Sequence, residues 1–260
     1  MFRELEHAYG ERARVLDDPF VATLLARVSS ADTARSDVLH ALRTVYGVLC
    51  AWSASELLPT THGEFATRMH DQHGALGTWK GDVLDPASRV VVIDVIRGGI
   101  VPGQVCFELL SSVLPEDYVR FDHLHMSRTT DAAGHVTGST LFGSKIGGRV
   151  EGAHLVIPDP MGATGSTACV ALDHYLEHHG APASVSVLPM ICTPEFLRRV
   201  LDHPARPTVF AARVDRGMSS PDVLATKPGL RWSEERGLDD DDYIVPGAGG
   251  VGEVLNNSWC

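Results

Sequence analysis

The chain has 260 residues, 44% of them apolar, and a formal net charge of −11 at pH 7. That length buries one substantial core, and the acidic balance excludes a broad nucleic-acid or anionic-membrane surface, which would need a basic face. No apolar run reaches the length of a membrane span and the start, MFRELEHAYGERARVLDD, is polar and charged, so a soluble cytoplasmic protein is expected.

Residues 18–58 predict two helices. Val21, Leu24, Leu25 and Val28 recur on one face, then Val38, Leu39, Leu42, Val45, Tyr46 and Leu49 on another, with a break at Ser29-Ser30 and Asp32 as the capping acceptor. Residues 59–88, rich in Gly, His, Thr and Pro, show no strong period and predict irregular chain with a short hairpin around Trp79. Val90 to Val95 is the first buried strand, and Arg97-Gly98-Gly99 turns into a helix carrying Val105, Phe107, Leu109 and Leu110. Extended runs at 118–126 and 137–146 flank Asp131-Ala132-Ala133-Gly134 and predict a hairpin or arm. A strand at 155–157 with its helix follows, then a strand at 185–189, a helix over 194–201 and a strand at 208–214. This alternation implies an α/β fold, a mainly parallel sheet flanked by helices.

Residues 217–242 predict a long loop of the kind that forms lids or stays disordered, and its acidic run 239–242 reads as solvated surface. The scattered Cys50, Cys106, Cys169, Cys192 and Cys260 form no C-x-x-C pair and read as reduced thiols. His123 and His125 share a strand face but lack the partners of a zinc site, and His178-His179 reads as a solvated helix end.

The stretch HLVIPDPMGATGST, residues 154–167, carries the chemistry. Leu155, Val156 and Ile157 read as a buried strand, and Gly162, Ala163, Thr164, Gly165, Ser166 and Thr167 form a loop with little side-chain bulk. The helix marked by Ala168, Ala171, Leu172, Tyr175 and Leu176, with Gly180 as its stop, places that loop at a helix N-terminus, where amides converge on anions. A P-loop needs G-x-x-x-x-G-K-S/T, and no Lys lies between Lys145 and Lys227, which excludes a nucleoside triphosphatase of that kind. The G-x-G-x-x-G string at 247–252 stands too near the end of the chain to open a βαβ unit. Asp159 just after the strand favours a sugar phosphate over an ordinary turn, because a carboxylate accepts from ribose hydroxyls while amides and hydroxyls take the phosphate.

With these motifs in hand, the chain resembles the uracil phosphoribosyltransferases over most of its length. That family's phosphoribosyl diphosphate loop typically reads D-P-M-L-A-T-G-G-S/T, and here Asp159 to Thr167 reads DPMGATGST. Its L-R-A-G turn is similar to Ile96-Arg97-Gly98-Gly99, its second arginine to Arg128, and the end of its arm to Leu141-Phe142-Gly143-Ser144-Lys145-Ile146. Its G-Y-I-I/V-P-G-L-G-D-A-G-D segment is met by Asp242 to Glu253, and Asp18-Pro19-Phe20-Val21 stands where the family has a His-Pro-Leu-like start.

The resemblance implies a type I phosphoribosyltransferase-like fold with a small hood and a β-arm. It implies one domain over 1–260, made of N-terminal helices 18–58, a core at 89–216, the insertion 217–242 and a base-binding hood segment 243–260. The implied reaction is transfer from 5-phosphoribosyl 1-diphosphate to a pyrimidine, uracil first, giving UMP and diphosphate in pyrimidine salvage. Asp159, Arg97 and Arg128 are the implied catalytic set. Those three with Pro160, Met161, Gly162, Ala163, Thr164, Gly165, Ser166 and Thr167 bind phosphoribosyl diphosphate, and backbone groups of Ile244, Gly249, Gly250 and Val251 read the base. Mg²⁺ is expected mainly through the substrate diphosphate, with no protein metal ligand assigned, no nucleic-acid or membrane partner, and self-association into a homo-oligomer.

Three departures stand out. Gly250 replaces the first Asp of the base segment, Gly162 and Ser166 alter the phosphate loop but keep it small, and the stretch between Asp215 and Tyr243 is longer than the family norm. They leave open a different base or acceptor, and a non-catalytic sensor of phosphoribosyl diphosphate or a nucleotide.

Overall fold

Along β4 (Val90–Ile96), Val90 and Val92 enter one apolar layer while Val91 and Ile93 enter another, the two-residue period of a strand buried on both faces. The computed structural model describes residues 2–130 and 136–258, without the side chains of 128–130, 136, 137 and 139. The first layer receives α1 (Pro19–Ser29) and α2 (Arg35–Leu57). It also takes in α4 (Ile100–Ser111), after a single-turn α3 (His70–His73), and the C-terminal α8 (Val251–Asn256). The second layer receives α5 (Ser166–His178) and α6 (Pro194–Leu201); a single turn, α7 (Pro221–Leu224), lies in the segment after the last strand.

The sheet is built from β1 (Ala13–Val15), β4, β5 (Val119–Thr130), β6 (Val136–Lys145), β7 (His154–Gly162), β8 (Ser184–Cys192) and β9 (Thr208–Ala211), in the order β1-β9-β8-β7-β4-β5-β6, with β10 (Arg213–Val214) beside β8. Every pairing is parallel except β5 with β6, which forms the expected arm. The carboxyl ends of the parallel strands therefore share one edge, where ligands of open α/β sheets bind.

Several sequence expectations change. Residues 59–88 are an antiparallel hairpin, β2 (Thr60–Ala66) on β3 (Thr78–Leu84), with Phe65 opposite Trp79, so Trp79 lies within a strand. The hairpin is its own two-stranded sheet with most side chains exposed, and with no face to bury it carries no hydrophobic alternation. Ala34, not Asp32, precedes α2, whereas Asp18 caps α1 by accepting from the Val21 N–H at 2.9 Å. β7 runs on through Asp159 to Gly162 and α5 starts at Ser166, which shortens the loop to Ala163, Thr164 and Gly165.

The segment 217–242 is not a loose lid. Its Glu235 is fully buried and accepts from Tyr9 Oη at 2.6 Å, from Arg216 at 2.8 Å and from the Gly229 N–H at 2.8 Å. His123, for its part, does have an acidic neighbour, Asp94, at 3.0 Å, but among the described residues no three His, Cys, Asp or Glu gather as a metal site. Among the described residues no helix is long and apolar enough to cross a membrane.

Candidate active site

Parallel pairing of β4 with β7 brings their carboxyl ends side by side, and with them the Arg97 turn and Asp159. Gly99 folds the turn back so tightly that a β-carbon there would lie 2.6 Å from the Val95 nitrogen. Gly98 faces Pro160, whose Cγ would be 3.4 Å from a β-carbon at that position. The start of α8 closes the third side: a β-carbon on Gly252 would be 3.9 Å from Gly98 Cα, and Arg97 donates to Ser258 Oγ at 3.0 Å. Met161 and Ala163 pack on the same apolar layer as Ile244 and Val251. The Arg97 turn, the Asp159–Gly165 stretch and the C-terminal segment thus meet at one edge of the sheet. Arg128 lies in β5, and its side chain is outside the described residues.

Within the loop, Asp159 Oδ1 accepts from the Met161 N–H at 3.1 Å and Thr164 Oγ1 from the Ser166 N–H at 3.3 Å. Gly165 adopts φ +75°, a left-handed conformation costly to residues with a β-carbon, and a β-carbon would also press on Val200 Cγ2 at 3.0 Å. The wall behind the loop is α6. Thr193, fully buried, accepts from the Phe196 N–H at 2.9 Å and donates to the Ala163 carbonyl at 2.6 Å, and Arg199 donates to the Thr164 carbonyl at 3.2 Å.

The base-reading candidates are held from behind. Arg213 pairs bidentately with buried Asp215, at 2.6 and 2.8 Å; Asp215 accepts from the Gly247 N–H at 2.8 Å and Arg213 donates to the Gly247 carbonyl at 3.2 Å. Val251 N–H is bonded to the Gly249 carbonyl at 3.0 Å and the Gly250 carbonyl accepts from Val254 within α8, so not every expected backbone group faces outward. At Gly250, where the resemblance expects a carboxylate, a β-carbon would overlap Glu253 Oε2. The Glu253 side chain folds back over the space that a residue-250 side chain would fill.

Burial shifts several titratable groups beneath these loops toward their uncharged forms. Burial, with the Asp159 charge nearby, pushes the Tyr46 phenol well above its ordinary value. Burial and the Asp215 and Asp159 carboxylates do the same to the Cys192 thiol, which makes it a poor nucleophile. Burial also raises Asp94, partly offset by His123. The site's resources are therefore a guanidinium, a carboxylate and oriented amides, which suit binding and charge stabilisation rather than covalent catalysis.

Sequence reasoning missed Thr193, Arg199, Arg213 and Asp215. Thr193-Pro194-Glu195 was a readable helix start. Nothing local marked the other three, whose roles depend on strand ends meeting far along the chain.

The uracil phosphoribosyltransferase family model matches residues 15–230. The uracil phosphoribosyltransferase of Caldanaerobacter subterraneus subsp. tengcongensis is 24% identical over 246 residues, covering 94% of this chain and 97% of the relative. That of Kineococcus radiotolerans is 28% identical over 249 residues, covering 94% and 98%. Among solved structures, the AQ2163 protein from Aquifex aeolicus superposes with a TM-score of 0.68 at 22% identity, covering 94% of this chain and 97% of that one. The fold, α/β with a mainly parallel sheet flanked by helices, is shared with that structure. The chain belongs to the uracil phosphoribosyltransferase family.

Proposed function

We propose that the chain transfers the phosphoribosyl group of 5-phosphoribosyl 1-diphosphate to uracil, giving UMP and diphosphate, in cytoplasmic pyrimidine salvage. The observation that supports this most is the meeting of the Arg97 turn, Asp159–Gly165 and the C-terminal segment at one sheet edge, which suits a substrate with two charged ends and a planar acceptor.

The sugar C1′ loses its bond to the diphosphate oxygen and gains one to a uracil ring nitrogen, whose proton leaves to solvent. Positive charge develops on the ribose and negative charge on the leaving group, so preorganised dipoles and charges lower the barrier more than any single acid or base. In this reading Arg97 and Arg128 hold the diphosphate, their planar forks matching its oxygens. Asp159 accepts from the ribose hydroxyls, while Ala163 to Thr167, with Pro160, Met161 and Gly162 as the approach, take the 5′-phosphate. Ile244, Gly249, Gly250 and Val251 frame the base. Mg²⁺, when bound, supplies neutralisation of diphosphate charge. Among the described residues Asp159 and the folded-back Glu253 place carboxylates here, a set that fits an ion carried mainly by the substrate.

The reading treats 1–260 as one working unit in which 243–260 is the hood. It includes self-association, supported by the hairpin β2–β3, which stands apart from the main sheet.

The test is diphosphate release from 5-phosphoribosyl 1-diphosphate with Mg²⁺ and a panel of bases. Release is expected with uracil and is expected to fall at least about a hundredfold in Arg97→Ala, with the melting temperature near that of the parent. Release only with another acceptor would move the activity to that acceptor. No release, with a melting temperature raised by 5-phosphoribosyl 1-diphosphate, would replace transfer by sensing.

A further inference from the structure

Three successive carbonyls at the carboxyl end of β7 are all taken from one side. Gly162 C=O accepts from the Thr193 N–H at 3.1 Å, Ala163 C=O from Thr193 Oγ1 at 2.6 Å, and Thr164 C=O from the Arg199 guanidinium at 3.2 Å. All three donors belong to α6 and its capping residue.

The consequence follows from peptide geometry. The Ala163–Thr164 and Thr164–Gly165 peptides are trans, and in a planar trans peptide the carbonyl and the next N–H point in opposite directions. With the Ala163 and Thr164 carbonyls drawn toward α6, the N–H groups of Thr164 and Gly165 point away from it. Among the described residues neither N–H is bonded to a protein acceptor. They therefore open on the side of the loop opposite α6. A short loop with φ +75° at Gly165 has no ladder to set its peptide planes, so without outside donors each plane could rotate.

We propose that Thr193 and Arg199 are positioning residues that aim the Thr164 and Gly165 amides at the phosphate of a phosphorylated sugar by pinning the carbonyls behind them. This rests on the phosphoribosyl reading of the loop, but it is a separate statement about residues that need not touch the ligand. Thr193 has no freedom to act otherwise. It is fully buried, and its hydroxyl accepts from the Phe196 N–H while donating to Ala163, which uses its single proton on the loop. Arg199 is exposed and holds the outer carbonyl.

The test is binding of ribose 5-phosphate by calorimetry, which needs no turnover, to the full chain and to four variants. Thr193→Val, which removes the hydroxyl at similar volume, is expected to weaken binding about tenfold, and Arg199→Ala several-fold, as losing one orienting hydrogen bond implies. Thr193→Ser is expected to restore parental affinity. Arg199→Gln, which keeps a donor but not the charge, is expected to recover most of the loss in Arg199→Ala. A role confined to capping α6 would lower the melting temperature of Thr193→Val without changing its affinity. Parental affinity in both Thr193→Val and Arg199→Ala would overturn the proposal, and Arg199→Gln falling as far as Arg199→Ala would assign the effect to charge and overturn it for Arg199. If Thr193→Val does not fold, the Arg199 pair carries the decision. Failure of the parent chain to bind ribose 5-phosphate would overturn the phosphate reading itself, and this inference with it.

Discussion

At Gly162 a β-carbon would stand 2.9 Å from Cys192 Cβ and from Phe196 Cδ2, so the space that a larger residue would need is already filled by the Phe196 ring. The small residue and the large neighbour form one packing unit, and the departure from the family's loop pattern is compensated three elements along the chain, in α6. His154 shows the same dependence on surroundings in its titration. It opens β7 with Nδ1 2.6 Å from Ser184 Oγ, and burial lowers its pKa below the ordinary 6.5. A folded-state pKa below the unfolded one means that the unfolded chain binds the proton more readily. The stabilisation is therefore fully present above about pH 6.5 and is lost as the pH falls from there toward the lowered folded value. His154→Gln, which cannot titrate, is expected to lose less stability than the parent between about pH 6.5 and 5, measured as urea midpoints at matched pH. Parallel profiles for the two proteins would show that His154 contributes no proton linkage.

The elements were legible in proportion to how they bury themselves. Helices α5 and α6 announce themselves through period, because each hides a face against the sheet, and strands β4 and β7 through continuous apolar runs, because both of their faces are covered. The phosphate-loop and Arg97 motifs were legible too, as composition next to a buried strand. The hairpin β2–β3 was not, since it buries neither face, and neither were the latches made by Thr193, Arg199, Arg213 and Asp215, which exist only once β8 and its neighbours converge. The segment 217–242 failed for another reason: it is tied down by polar contacts, the buried Glu235 among them, which no hydrophobic pattern can reveal. Removing that carboxylate tests the point. Glu235→Gln leaves the Arg216 guanidinium without its counter-charge and one donor without an acceptor, a change expected to cost about 3–5 kcal/mol. Tyr9→Phe, which deletes a single hydrogen bond, is expected to cost about 1 kcal/mol. Urea unfolding measures both, and limited proteolysis should show earlier cleavage within 217–242 in Glu235→Gln. An unchanged midpoint and cleavage pattern would mean that the segment is held by something other than this carboxylate.

At the scale of the whole molecule, the hairpin β2–β3 is the part that the rest of the fold does not account for. Among the described residues its strands pair only with each other, outside the main sheet, and a two-stranded sheet alone is marginal in water. The Phe65 and Trp79 rings meet at a centroid distance of 5.9 Å and lie over Gly63 and Gly81, which leaves an apolar platform with Phe65 52% and Trp79 48% exposed. Leu76 and Met69, in the connection between the two strands, are exposed as well, at 93% and 47%. A second copy of the chain is the partner present whenever the protein is made, and burying these four side chains against it would offset the ordering of the hairpin and the repulsion between two chains of net charge −11. Sedimentation velocity at micromolar concentration is therefore expected to show a dimer or larger assembly for the parent. The double variant Phe65→Ser, Trp79→Ser is expected to shift toward monomer while the far-ultraviolet signal of the main α/β body is retained. Added salt should favour the assembly by screening the like charges. A monomeric parent, or a double variant with undiminished mass, would remove the hairpin from any role in assembly.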